Sequence, residues 1–176
     1  TLANLSTFSG NTAIGHEALK NNTRNSNTAI GYFSLRNNTT GSWNVGLGQN
    51  SLISNTTGYD NIGIGGQALF NNTSGTENVA LGDSTSFSNT TGSSNVIIGN
   101  DAGFSNTTGS RNVFIGNSVG YNETGSDKLY IDNSNTSTPL IYGNFATNLL
   151  KINGTLNVNN AYNLPTIAGA ANQILQ

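Results

Sequence analysis

Cysteine is absent from this sequence, which removes disulfides, zinc–thiolate sites and thiol chemistry together. Charge is scarce: six Lys and Arg stand against eight Asp and Glu, a net charge of −2, so the basic footprint of a nucleic-acid binder is missing. No apolar run approaches the length of a membrane-spanning helix, and membrane insertion of this segment is not expected. The chain starts at Thr1 with no signal-peptide pattern, from which we expect a mature product or an excised fragment. Only 34% of residues are hydrophobic, whereas Asn occurs 32 times and Gly 22 times. Disorder needs low hydrophobicity together with high net charge. Here the charge is small and the apolar residues recur at fixed intervals, so we expect an ordered protein with an uncharged, amide-rich surface.

The intervals define a repeat. Aligned on the Asn before each apolar run, the anchors are Asn11, Asn27, Asn44, Asn61, Asn78, Asn95 and Asn112, with Lys128 in the eighth place. The steps between them are 16, 17, 17, 17, 17, 17 and 16 residues. The runs read NTAIG, NTAIG, NVGLG, NIGIG, NVALG, NVIIG, NVFIG and KLYID, too short for helices and alternating with period two, hence strands. On this reading the core face carries Thr12, Thr28, Val45, Ile62, Val79, Val96, Val113 and Leu129 with Ile14, Ile30, Leu47, Ile64, Leu81, Ile98, Ile115 and Ile131. The middle residues, Ala13, Ala29, Gly46, Gly63, Ala80, Ile97, Phe114 and Tyr130, then point away from the core. Large apolar residues facing outward make a costly exposed patch, so Ala80, Ile97, Phe114 and Tyr130 are the candidate interface around a threefold axis. The alternative is that the chain's own tail covers Phe114 and Tyr130.

A second apolar position follows each closing Gly, four residues on at Leu19, Leu35, Leu52 and Leu69 and five on at Phe87, Phe104 and Tyr121, which suggests a second strand that shifts register. The turns NNTR, NTTG, NTTG, NTSG, NTTG, NTTG and NETG come next, with Gly for positive φ and Asn for local hydrogen bonds. A single coil of this length cannot bury two strands. Stacked about 4.8 Å apart, identical coils form parallel ladders, one thin core and Asn amide ladders along the turns. The predicted fold is an all-β parallel solenoid (β-roll) of about eight 16–17-residue coils over residues 1–132. After Asp132 the period stops, and Leu150, Ile152, Leu156 and Val158 around Asn153-Gly154 suggest a hairpin within a separate β connector or stalk at 133–176.

"NTAIG" followed by "ALKNNT", and "NVALG" followed by "NTTGS", resemble the head repeats of trimeric autotransporter adhesins and related phage-type tail-fibre proteins. The stretch from Pro139 to Gln176 is similar to segments that follow such repeats in fibre-like proteins of Bacteroidetes, often ahead of a chaperone domain. The resemblance implies a left-handed parallel β-roll assembling as a homotrimer, at an extracellular cell surface or on a virion or tail fibre, with a cell-surface glycan or protein as receptor. The repeat here is longer than the usual adhesin-head repeat.

Motifs for chemistry occur without their context. Gly63 to Ala68 fits GxGxxA, yet no amphipathic helix follows to receive a pyrophosphate, and no cofactor is expected. Gly116 to Gly120 fits GxSxG, but a nucleophilic Ser118 needs a later His, and His16 is the only one. His16 and Glu17, adjacent in sequence, read as a polar corner. Asp60, Glu77, Asp83, Asp101, Asp127 and Asp132 share no column and no calcium-loop spacing, so no metal site is assigned. The sequons at Asn38, Asn55, Asn72, Asn89 and Asn106 read as turn chemistry, because stacked coils leave no room for glycans. Trp43 and Tyr59, beside the anchors, are candidate exposed contacts for a sugar ring, with packing against a coil or protomer as the alternative. The functional expectation is a non-enzymatic structural and adhesive segment of an extracellular homotrimeric fibre. The alternatives are an ice-binding solenoid with Thr and Asn ladders and a carbohydrate-active enzyme, the latter disfavoured by the lack of paired carboxylates on one face.

Overall fold

Residues 9–156 are described by a computed structural model, and every regular element among them is a β-strand. Strands β1 (Thr12–Ile14), β2 (Thr28–Ile30), β3 (Val45–Leu47), β4 (Ile62–Ile64), β5 (Val79–Leu81), β6 (Val96–Ile98), β7 (Val113–Ile115) and β8 (Lys128–Ile131) pair in chain order. Each is parallel to the next and keeps the repeat's alignment, so Val45 lies opposite Ile62 and Phe114 opposite Tyr130. The chain is therefore a parallel β-solenoid whose seven strand spacings make a rod roughly 34 Å long at about 4.8 Å each.

The core is inverted relative to the sequence reading. The middle residues of the strands point inward: Ala29, Ala80 and Phe114 are fully buried and Ile97 and Tyr130 nearly so. The flanking positions expected to form the core point outward instead. Ile14 is 59% exposed, Ile64 37% and Val96 38%, and Leu81 and Ile98 are only half-buried. With three residues per strand, one side chain faces in and two face out, and the one that faces in must leave room for the corner opposite. The structure thus corrects the interface assignment: Ala80, Ile97, Phe114 and Tyr130 lie in the chain's own core and are not available to a partner.

No second strand forms. After each closing Gly the backbone alternates its hand, with φ +132° at Gly48, +58° at Asn50 and +52° at Leu52, so the chain turns tightly. It still bonds to its neighbour, as when the Leu35 N–H donates to Ser51 O and the Leu52 N–H to Ala68 O. The closing position must be Gly on two counts: its φ is positive, and a Cβ on Gly48 would stand 2.3 Å from Gly65 O. Left-handed φ disfavours a leucine by roughly 1–2 kcal/mol, and burying that side chain completely offsets the strain with about 1.5–3 kcal/mol.

The supposed register shift is a change of residue size in two parallel columns. Leu19, Leu35, Leu52 and Leu69 fill the inner column, which continues as Ser86, Gly103 and Gly120. Phe70, Phe87, Phe104 and Tyr121 belong to the column outside it, their rings stacked with centroids 4.8–4.9 Å apart. The inner column shrinks where the facing strand residues grow. A Cβ on Gly46 would meet Leu35 Cγ at 3.3 Å, while a Cβ on Gly120 would meet Phe114 Cδ2 at 2.9 Å. Leucine with Gly or Ala fills the first half of the rod; Ile, Phe or Tyr with Ser or Gly fills the second.

Beyond β8 the same sheet continues with reversed direction. β9 (Ile141–Asn144) pairs antiparallel with β8, and β10 (Leu149–Ile152) antiparallel with β9. The expected hairpin at Asn153-Gly154 is not found among the described residues; the hairpin turn lies between Asn144 and Leu149, and Val158 lies outside them. Tyr142 of β9 packs on Tyr130 with ring centroids 5.4 Å apart, so β9 and β10 close the end of the core as part of the same sheet.

Candidate functional site

Much of the asparagine is inside. The anchor Asn27, Asn44, Asn61, Asn78, Asn95 and Asn112 are buried, as are the turn residues Asn22, Asn38, Asn55, Asn72, Asn89 and Asn106, while others such as Asn21, Asn25, Asn100 and Asn117 remain on the surface. Anchors Asn27, Asn44, Asn61 and Asn78 are saturated by their neighbours. Asn61 Nδ2 donates to Asn44 Oδ1 and Gly75 O, and Asn61 Oδ1 accepts from the Asn78 backbone N–H and Asn78 Nδ2. In the turn column, Nδ2 of Asn38, Asn55, Asn72 and Asn89 donates to Oδ1 of the preceding coil's Asn at 2.7–2.8 Å. Only an amide at this length gives donors to one coil and acceptors to the next; Asp lacks the donors. Burial of Asn38, Asn55, Asn72, Asn89 and Asn106 also removes these sequons from reach of glycosylation.

Outside the core, the flanking columns of β1–β8 form one face of sixteen Thr, Val, Ile and Leu residues with no charge. Its footprint is roughly 400 Å², within the range of the largest apolar patch on a typical monomer, which is often functional.

Trp43 and Tyr59 are 62% and 44% exposed, so neither is packed into its own chain. Asp60 and Glu77 prove to share a column with Trp43, since the Asp60 N–H donates to Ser42 O and the Glu77 N–H to Tyr59 O at equivalent positions. The sequence reading had kept these acids apart.

The residues of the catalytic motifs are not brought together. His16 stacks on Tyr32 with centroids 5.3 Å apart, and Ser118 Oγ donates to Asn117 Oδ1. His16 follows β1 and Ser118 follows β7, six strand spacings or about 29 Å away. Glu17 binds Lys20 Nζ and Arg36 Nε, both at 2.6 Å, and those bonds, Lys20's foremost, hold its carboxyl below the ordinary range. Gly63 to Ala68 span β4 and its corner, where no helix follows. Among the described residues no three His, Asp or Glu side chains are grouped to hold a metal, and no helix is long and apolar enough to cross a membrane.

Sequence reasoning missed the C-terminal end of the rod. The turn NETG aligns Asn122 with the ladder, but the structure puts Glu123 there: its N–H donates to Gly120 O as that of Asn106 does to Gly103 O, and Asn122 is exposed. Glu123 Oε1 accepts the Gly125 N–H at 2.7 Å and Oε2 accepts the Tyr130 hydroxyl at 2.5 Å. Burial, and then the Glu123 bond, push the Tyr130 phenol well above its ordinary pKa, so it remains a donor. The one-residue shortening of this coil was the available signal. A cleft of about 280 Å³ opens beside the pair, bounded by Gly120, Asn122, Glu123 and Tyr130 and by the loop 135–137.

The fold thus defines the class, a parallel β-solenoid with buried amide ladders. Compared with known proteins, the chain matches no protein-family model, no curated protein and no solved structure.

Proposed function

We propose that this chain is a non-enzymatic structural and adhesive segment of an extracellular homotrimeric fibre, of bacterial surface or tail-fibre type, whose copies meet through the outer face of β1–β8. The observation that carries the reading is that face: sixteen uncharged residues in two columns, kept in register from β1 to β8. Around a threefold axis one column of each face meets the other column of the next copy, and the two keep register because each repeats at the same spacing of about 4.8 Å. The repeat motifs' resemblance to adhesin heads supports the same stoichiometry. The exposed Trp43 and Tyr59, beside the acids Asp60 and Glu77, are the residues this reading offers to a receptor.

Native mass measurement of the chain tests it. A trimer is expected, and Ile64→Asp with Ile98→Asp in one chain is expected to give folded monomer, since three copies would bury six charges at the contact. A wild-type chain that stays monomeric at high micromolar concentration overturns the reading. The regular spacing of the face is also what favours the ice-binding alternative. Against that alternative, Thr39, Thr56, Thr73 and Thr90 lie in the turns and donate their hydroxyls to the next coil's carbonyl. Thermal hysteresis from the monomer would decide for it.

A further inference from the structure

The cleft at the C-terminal end exists because the stack stops there. Every earlier turn is covered by the turn of the next coil, but no eighth turn covers residues 120–123, and the loop 135–137 stands opposite instead. That loop is braced by Asp132, whose Oδ1 accepts the Ser134 hydroxyl and the Asn133 N–H while Oδ2 accepts the Leu140 N–H at 2.7 Å. On the other wall, Glu123 is held by Gly125 and Tyr130, one bond to each oxygen. A carboxylate oxygen has two lone pairs, so each retains one acceptor site. The floor is Gly120, where a Cβ would be strained by φ +61° and would stand 2.9 Å from Phe114 Cδ2.

The geometry points to a binding site for a single neutral, hydroxyl-rich ring, one monosaccharide unit, with Glu123 accepting its hydroxyls and the Asn122, Asn135 and Ser137 side chains completing the polar lining. The lining includes no cationic side chain, which disfavours an anion. It holds one carboxylate, whereas calcium takes six to eight oxygens, commonly from several carboxylates. The volume falls just under the ~300 Å³ at which pockets for drug-sized ligands begin, which suits one ring and not a chain. A ligand of this size reaches an affinity on the order of millimolar. The inference gives the adhesive reading a ligand class, but the site lies within one chain and does not need the trimer.

Amide-resolved NMR titration of the whole chain with the methyl glycosides of glucose, galactose, mannose and N-acetylglucosamine tests it, with calcium chloride titrated separately. At least one glycoside should give saturable shifts at Gly120, Asn122, Glu123 and Ser137. Glu123→Gln keeps one carbonyl oxygen to accept the Gly125 N–H and turns an amide N–H2 toward Tyr130, whose hydroxyl can then accept; it should weaken binding about five- to tenfold, the difference between a charged and a neutral acceptor. Ser137→Val, remote from the core, should weaken it independently. No saturable shift up to about 50 mM, shifts confined to Trp43 and Tyr59, binding indifferent to both variants, or a response to calcium alone would each overturn the assignment. A monomer that binds a glycoside here would leave the site standing and sink the fibre reading; a trimer that binds none would do the reverse.

Discussion

Replacing Asn61 by Ala probes the amide ladder where it is deepest. The side chain is fully buried and takes part in four hydrogen bonds, two donated and two accepted. Their losses are unequal. Gly75 O keeps the Asn72 amide, and Asn44 Oδ1 keeps the Asn61 backbone N–H. The Asn78 backbone N–H is left with no acceptor, and an orphaned buried donor costs about 1–3 kcal/mol. Lost bonds and the small void bring the total to roughly 3–5 kcal/mol. At about 2–4 °C per kcal/mol for a chain of this size, the midpoint should fall by about 6–20 °C. Exposed Asn100, whose side chain bonds only its neighbour Asp101, is the control; its Ala variant should move the midpoint far less. Thermal and urea unfolding followed by circular dichroism measure this, with the transition width watched because stacked repeats can unfold in parts. An Asn61 variant no less stable than the Asn100 variant would refute the idea that the ladders hold the coils together.

Two further outcomes follow from the packing and from the loop at the end of the rod. Gly120→Ala should destabilise by about 1–3 kcal/mol, because its Cβ meets Phe114, and Phe114→Leu in the same chain should recover part of that; a double-mutant cycle with no coupling would show that these two positions do not share volume. The Asp132 carboxyl is held below its ordinary range, first by the Ser134 hydroxyl and then by the Leu140 amide. Its contribution is therefore complete above the unfolded value near 3.9 and is lost as pH falls through the lower folded value. The Leu140 amide resonance should report that loss below about pH 4 in the wild type and not in Asp132→Asn; identical titrations in the two proteins would remove Asp132 from the account.

The period, the strands and their register were legible because a residue pattern repeated eight times has few ways to stack. The direction of the strands' side chains was not. Val, Ile and Leu at the flanking positions look like a core by hydrophobicity alone, while the inward column mixes Gly, Ala, Ile, Phe and Tyr and looks irregular. The irregularity carried the information: Gly46 and Gly63 pair with leucines, and Phe114 with Gly103 and Gly120, so the sum across the core is steadier than either column. The same compensation explains why Phe87 was mistaken for the successor of Leu69, whose true successor is Ser86. Glu123 escaped notice because aligning by motif places Asn122 on the ladder, whereas the shortened coil moves the column by one.

Because each buried amide takes its partners from the coils on both sides, a coil is the smallest piece that can be added or removed. Losing one residue between the closing Gly and the turn Asn would put a neighbour of the ladder Asn into its place and leave donors unmatched in two coils at once. Copying a whole coil leaves every partner intact. Residues 87–99 and 104–116, FSNTTGSSNVIIG and FSNTTGSRNVFIG, are near-duplicates of this kind. A gene for such a rod can therefore lengthen it by internal duplication, in increments of about 4.8 Å, with the fit of Phe114 to its glycines as the one part that must be retuned.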